Sequence, residues 1–127
     1  MRTVLGILLL TMLVFLSFCD RREKYYSKII LKADKIQIKK NNGLLDTTIT
    51  ASGSILTSFT DIFKNYEGNC SCDSKDEVIF LKNGSELLKV RIAQNTKECT
   101  FLLIGEGDKK QCYRLNYRIG MMIGELK

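Results

Sequence analysis

The N-terminal segment sets the limits on what this chain can fold into. Val4 to Phe18 forms an apolar run of 15 residues without a charged side chain, and Arg2 precedes it. A basic start followed by a short apolar core is typical of a signal that directs export and is then removed. Removal of residues 1–18 from the 127 leaves 109 residues, enough for a single domain with a modest hydrophobic core.

The end of this segment, Leu16-Ser17-Phe18-Cys19, resembles the lipobox of bacterial lipoprotein signal peptides. In that family a small-residue motif precedes a cysteine that is acylated and becomes the first residue of the mature protein. The resemblance covers residues 1–19 and implies lipidation at Cys19, a membrane contact through the lipid anchor, and a place in the bacterial cell envelope facing outside the cytoplasm. No family is recognised for the rest of the chain.

Two other outcomes for this segment stay open, because Phe18 stands where the lipobox family usually has Gly, Ala or Ser. Ser17 and Cys19 also suit an ordinary secretory cleavage site, which would release a chain that begins at Asp20. Alternatively the segment stays uncut as a signal anchor, although 15 apolar residues fall short of the roughly 20 that a membrane-spanning helix needs. All three outcomes export the domain from the cytoplasm.

A basic stretch follows the cysteine directly. We expect residues 19–28 to form an acylated cysteine and a polar basic tether, and residues 29–127 to form a single domain. Such a stretch beside a membrane anchor can associate with anionic headgroups, whereas a solvated tether and a lysine-rich strand face is the commoner arrangement. The basic residues are Arg21, Arg22, Lys24, Lys28, Lys32, Lys35, Lys39 and Lys40, against Asp20, Glu23 and Asp34.

Composition excludes several classes of function. The chain has no His, Pro or Trp, so it lacks a His-based catalytic triad, an imidazole general base and a histidine metal ligand. The net charge of +6 permits attraction to anionic partners. Export argues against a role with nucleic acid, and the sequence has no aromatic-rich basic motif of the RNA-binding type. We therefore predict a protein that is not an enzyme and has no metal or cofactor.

Alternating apolar residues predict a domain rich in β-strands. The apolar positions between Ile29 and Ile38 alternate with Lys and Gln in the period of two that a half-buried strand requires. Asn-Gly pairs and a Gly-Glu-Gly-Asp segment separate the strands, as in β-hairpins. The predicted strand pairs are 29–38 with 44–50, 77–81 with 86–92, and 99–104 with 111–119.

One segment changes to the period of a helix. Its apolar residues fall on a single stripe, with Ser54 placed as N-cap and Gly68 as the C-terminal stop. The stripe consists of Ile55, Leu56, Phe59, Ile62, Phe63 and Tyr66. The predicted fold is therefore α+β: a small antiparallel β-meander of about six strands with one amphipathic helix packed on one face. Residues 120–124 receive no assignment.

Four cysteines remain after Cys19, and an even number in a small exported domain is the usual setting for structural disulfides. They are Cys70, Cys72, Cys99 and Cys112. A bridge between Cys70 and Cys72 would close a very small, strained ring, so we expect each to join one of the two later cysteines, in either pairing. Because alternate residues of an extended segment point the same way, both can reach one neighbouring sheet edge.

The same cysteines also permit a thiol-based function, which we keep as the alternative. Cys70 and Cys72 could bind Cu(I) or Zn(II), with Cys99 and Cys112 completing a four-thiolate shell, or could form a redox pair. However, structural zinc pairs usually have a longer spacer. The acidic residues in 73–77 would also raise the pKa of a redox thiol, which needs to be low. Structural disulfides are the leading interpretation.

These observations favour a non-catalytic role. The predicted protein is a small membrane-tethered envelope lipoprotein that acts as a binding or interaction module, with an envelope protein or polymer as its partner. The candidate binding face consists of basic residues near and on the last predicted strand: Lys109, Lys110, Arg114 and Arg118. On that strand Arg114 and Arg118 share one face, because side chains two residues apart point the same way.

Overall fold

The computed structural model describes residues 6–7, 24–40, 42–96, 98–105 and 107–125. From residue 24 onward they form one seven-stranded antiparallel sheet with three helices, which confirms the predicted α+β class. The strands are β1 (Lys35–Lys40), β2 (Leu45–Thr50), β3 (Tyr66–Gly68), β4 (Glu77–Lys82), β5 (Ser85–Thr96), β6 (Cys99–Ile104) and β7 (Gln111–Arg114). The helices are α1 (24–30), α2 (Gly53–Ile62) and α3 (Tyr117–Glu125), and a 3₁₀ turn covers Gly107–Lys109.

The strand order across the sheet is β2-β1-β4-β5-β6-β7-β3. The predicted meander is correct for β4 to β7, where each strand pairs with the next in the chain. The β1–β2 hairpin joins this meander through an antiparallel pairing of β1 with β4. The short strand β3 crosses to the far edge and pairs with β7. β2 and β3 therefore form the two edges of the sheet.

The β4–β5 hairpin has the turn that its sequence predicts. Asn83 and Gly84 both have positive φ, 52° and 80°. A two-residue type I′ connection requires positive φ at both central positions, because that backbone twist matches the twist of the paired strands.

All three helices pack on one face of the sheet. On β1 and β4 this face carries Ile36, Ile38, Val78 and Phe80, each no more than 1% exposed. Phe59 of α2 meets Phe80 edge to face, with 5.0 Å between ring centroids. Burial of each large side chain of this kind stabilises the fold by about 1.5–3 kcal/mol. The core of the domain therefore lies between this face and the helical layer.

The N-terminal part of the domain differs from the prediction. α1 occupies positions where a polar tether was expected, and β1 begins at Lys35 rather than at Ile29. Packing explains the difference, since Tyr26 stacks on Phe63 with 5.2 Å between ring centroids and Ile30 is fully buried. A helix presents both side chains to the core because they lie four positions apart.

The predicted central helix is present with different ends. Ser52 rather than Ser54 caps α2, because its hydroxyl accepts a hydrogen bond from the amide three residues further on (3.3 Å). The helix ends at Ile62, so Tyr66 and Gly68 lie in β3 rather than at the end of the helix. Of the remaining stripe, Leu56, Phe59, Ile62 and the C-cap Phe63 are buried, and Ile55 is partly buried.

The C-terminal part of the predicted strand 111–119 is wrong. β7 ends at Arg114, residues 115–116 form a short connection, and α3 covers 117–119 together with 120–124. Asn116 caps this helix, because its side-chain oxygen accepts a hydrogen bond from the Ile119 amide at 2.9 Å. The buried side chains then recur every four residues, at Leu115, Ile119 and Ile123.

Within the part of the chain that the structure describes, no helix is long and apolar enough to cross a membrane. Apart from residues 6–7, the predicted signal segment lies outside the described residues, as do Cys19 and the positions up to 23.

Candidate functional site

The sheet face opposite the helices carries both disulfides. Cys70 bonds to Cys112 of β7, and Cys72 bonds to Cys99 at the start of β6, with Cα atoms 6.0 and 5.6 Å apart. The two bonds hold residues 69–76, here called the stapled segment, against β6 and β7. The prediction that both cysteines of this segment join the two later ones is confirmed. A second, small apolar cluster surrounds the bonds and includes Ala93, Phe101 and Leu103.

Two basic side chains fix the stapled segment further. Lys110 is only 8% exposed, and its Nζ donates a hydrogen bond to the carbonyl oxygen of Cys72. Arg91 of β5 donates to the Asp73 carboxylate and to the Gly105 carbonyl oxygen, the latter at 2.5 Å. These contacts connect the segment to β5 and to the β6–β7 connection. The role that they indicate is structural.

The oxidised state of the four cysteines argues against the thiol-based alternative. All four form disulfides, so Cys70 and Cys72 present no thiolate here. Across the described residues, no group of three or more His, Cys, Asp or Glu side chains could hold a metal ion. Metal binding by the thiolates of Cys70 and Cys72, or a redox pair formed between these two residues, would therefore first require that both bonds be reduced.

The four residues of the candidate basic face do not come together on one surface. Lys109 is exposed in the 3₁₀ turn, whereas Lys110 is buried against the stapled segment. Arg114 lies on the disulfide-bearing face, where its guanidinium is 5.2 Å from the centre of the Phe101 ring. Arg118 lies on the helical side, because α3 replaces the predicted strand, and it donates to the Ser54 hydroxyl at 3.2 Å.

Of the basic stretch after Cys19, Arg21 and Arg22 lie outside the described residues. Three lysines of the stretch are exposed: Lys24 and Lys28 of α1, and Lys32 of the turn that follows it. Lys40, at the end of β1, instead donates from Nζ to the carbonyl oxygen of Ile123 at 2.9 Å, which attaches α3 to the sheet.

Two exposed carboxyl groups have lowered pKa values. A hydrogen bond from Arg114 to Glu67, 2.8 Å from Nε to Oε1, is the main reason that the pKa of Glu67 lies below its ordinary value. The pKa of Asp73 is lowered first by the Ser74 amide, which donates to Oδ1 at 2.9 Å, and also by the positive charges of Arg91 and Lys110.

These shifts predict weak destabilisation in acid. A carboxyl group with a lowered pKa in the folded state stabilises that state above its unfolded pKa, and the contribution is lost as the pH falls through the folded pKa. We expect the melting temperature to fall as the pH drops below about 4, the ordinary pKa of such groups, and to fall less steeply in the Glu67→Gln, Asp73→Asn double variant. Circular dichroism melts from pH 6 to pH 2 measure both curves, and parallel curves would contradict the assignment.

An open cleft of about 700 Å³ lies beside α3, bounded by the end of β5 and the start of β6. Tyr117 and Met121 stand on its wall with 81% and 45% of their surfaces exposed. Tyr117 and Met121 lie four positions apart on α3, so their exposed surfaces adjoin, and adjoining exposed apolar side chains are a feature of binding sites. The cleft is lined by Gln94, Thr100, Leu115, Asn116, Tyr117, Gly120, Met121, Gly124 and Glu125.

Several polar groups of the cleft are already engaged within the protein. Gln94 donates from Nε2 to the Gly120 carbonyl oxygen at 2.8 Å. Asn116 donates to the Ser58 carbonyl at 2.7 Å in addition to capping α3. Gly120 allows the close approach of Gln94, since a Cβ at this position would lie 3.3 Å from Nε2. These bonds leave the apolar side chains as the main surface available to a ligand.

No protein-family model, curated protein or solved structure matches this chain.

Sequence reasoning missed the cleft because it assigned a strand where α3 forms. Two signals in the sequence could have indicated the helix. Asn116 precedes the segment as a helix-capping residue, and Leu115, Ile119 and Ile123 recur with a spacing of four. The shorter alternation of apolar and polar residues from 113 to 119 matched a strand equally well.

Proposed function

We propose that this protein is a small membrane-tethered envelope lipoprotein that acts as a non-catalytic binding module, with the cleft beside α3 as its binding site. The cleft, with its exposed Tyr117 and Met121, is the observation that carries the binding role. The lipobox-like end of the N-terminal segment supports the tether.

The chemistry of the cleft favours an apolar side chain of a protein partner. Tyr117, Met121 and Leu115 supply its apolar surface, and the amides of Gln94 and Asn116 are held by internal hydrogen bonds. Exposed aromatic side chains are frequent anchors of binding energy, because they contribute a large area at a low cost in conformational entropy. Glu125 is the one acidic group among the lining residues that the structure describes, so these residues offer no pair of carboxylates for acid–base chemistry.

Photo-crosslinking in intact host cells tests this binding site. A photoreactive amino acid in place of Met121 is expected to give a discrete adduct, whereas the same group in place of Leu44 is expected to give none. Leu44 is a suitable control because it is also apolar, is 91% exposed and lies in the β1–β2 turn.

A second substitution measures the contribution of the aromatic anchor. In the chain with the photoreactive group at position 121, Tyr117→Ala is expected to lower adduct yield at least about tenfold, because loss of an anchor of this kind costs 2 kcal/mol or more of binding energy. Its melting temperature should stay nearly unchanged, since Tyr117 is mostly exposed. Equal adducts from positions 121 and 44, or none from either, would contradict the cleft as the binding site.

A further inference from the structure

We propose that the outward face of α1 contacts an anionic membrane surface and orients the domain on it, which rests on the proposed lipid anchor at Cys19. This outward face, here called the α1 contact face, consists of Lys24, Tyr25 and Lys28 of α1 together with Leu31 and Lys32 of the turn that follows it. The proposal assigns a second contact with the membrane, made by the folded domain itself rather than by the acyl chains.

Helix geometry places these five side chains together. Positions 24, 25 and 28 fall on one side of α1, because they lie three or four positions apart or side by side. Leu31 and Lys32 continue that side, since the Leu31 amide still donates to the Ser27 carbonyl at 3.0 Å and the Lys32 amide donates to the Ile29 carbonyl at 3.2 Å. All five are exposed, with Tyr25 at 62% and Leu31 at 55%. The inward side chains of α1 are held by the core instead, since Tyr26 stacks on Phe63 and Ile30 is fully buried. The α1 contact face therefore cannot turn inward without breaking the core.

Charge and apolar character on this face suit a membrane interface. The three lysines have no ion-pair partner among the described residues. From 24 to 33 the sequence contains no acidic residue, and Asp34 accepts a hydrogen bond from the Asn83 amide at 3.1 Å. Lysines attract anionic headgroups, while a tyrosine and a leucine between them can enter the headgroup region.

The length of chain between the anchor and the helix limits the distance between them. Lys24 is five positions after Cys19, and even a fully extended chain over five positions spans at most about 18 Å. α1 is therefore the described element closest along the chain to the acyl chains. The C-terminal end of β1 is distant from α1. The strand has six residues, and its last residue lies about 17 Å from its first, which follows the turn after α1. A lipid anchor at Cys19 thus keeps the start of the α1 contact face within about 18 Å of the acylated cysteine.

Tryptophan fluorescence can test the contact, because the natural chain has no Trp. The full chain, processed by its host and purified from membranes, is prepared as Tyr25→Trp and, as matched control, as Leu44→Trp. Leu44 follows the far end of β1 and is 91% exposed. Each variant is reconstituted into vesicles of phosphatidylcholine with or without 30% phosphatidylglycerol, with a nitroxide quencher on the headgroups.

In anionic vesicles the Tyr25→Trp variant is expected to show blue-shifted emission and quenching several-fold greater than the Leu44→Trp variant. The difference should disappear in zwitterionic vesicles and in 1 M salt, where charges are screened beyond about 3 Å. Replacing the three lysines by glutamine in the Tyr25→Trp chain is expected to lower the docking constant on the order of 100-fold, since each basic side chain contributes roughly a fivefold factor.

Flotation of the vesicles distinguishes failure of the lipid anchor from failure of the α1 contact alone. If the protein floats with the vesicles and the two variants are quenched equally, the anchor stands and the α1 contact is wrong. If the natural chain does not float and carries no acyl group, both the anchor and the contact that rests on it are wrong. Strong quenching of the Tyr25→Trp variant that persists in zwitterionic vesicles would also overturn the proposed preference for anionic lipid.

Discussion

Replacing Cys70 and Cys112 together by serine is expected to lower the free energy of unfolding by about 4 kcal/mol. The two cysteines are 42 positions apart, and a bond across this distance restricts the unfolded chain by about that amount in the chain-entropy account of disulfide stability. For Cys72 and Cys99, 27 positions apart, the same reasoning gives about 3.5 kcal/mol. Either loss is a large fraction of the roughly 5–15 kcal/mol that stabilises a typical domain.

Denaturant unfolding of the natural chain and of the two double variants measures these losses. Addition of reductant serves as the control. It should lower the free energy of unfolding of the natural chain to that of either variant or below. Under reducing conditions the serine substitutions should then cause no further loss of stability, because no disulfide is present. Before reduction, an alkylating reagent should modify none of the four cysteines in the natural chain. A double variant within 1 kcal/mol of the natural chain, or four free thiols in the native protein, would contradict the structural role and favour the thiol-based alternative.

The second large effect concerns the N-terminal segment. In the host, the natural chain is expected to lose residues 1–18 and to gain the mass of acyl chains on Cys19, whereas Cys19→Ala is expected to carry no acyl group at all. Lipobox processing acts on the cysteine itself, so the expected change is complete rather than partial. Each buried methylene of an acyl chain contributes about 0.8 kcal/mol of membrane affinity, and multiple acyl chains therefore anchor a protein firmly. Intact mass spectrometry of the membrane fraction measures both chains.

Ser17→Ala provides a matched control, because alanine is also a small residue and should leave processing unchanged. The other outcomes of the sequence analysis give different masses. A chain that begins at Asp20 without acylation would indicate ordinary secretory cleavage, and an intact N-terminus would indicate a signal anchor. Either result would contradict the lipid anchor and remove the basis for the α1 contact with the membrane.

The hairpins were predictable because their signals are local. Asn83 and Gly84 tolerate the positive φ of a tight turn, and alternating apolar residues on both sides define the face that each strand buries. The apolar stripe of α2 was predictable for a similar reason, since its buried positions lie within ten residues. In both cases neighbours along the chain carry enough information to choose the structure.

The two other helices could not be separated from strands by local pattern alone. Segments around 29–33 and 113–119 contain apolar residues that fit a period of two over a few positions and a helical period over a longer span. Packing decided between them, because in the folded chain both segments are helical and place Ile30 and Ile119 in the same core. The cleft depends on α3, so the candidate binding site was out of reach for the same reason.

By itself, the sequence determined the α+β class, the hairpins, the involvement of all four later cysteines in disulfides and the likeness of its first residues to an export signal. Only the tertiary structure decided which cysteines pair, that Lys110 is buried while Arg114 and Arg118 lie on opposite sides of the sheet, and that a cleft forms beside α3. The physical reason is distance along the chain. Turns, caps and periodicity act between residues a few positions apart, whereas disulfide pairing and surface formation depend on strand order, which brings residues tens of positions apart into contact.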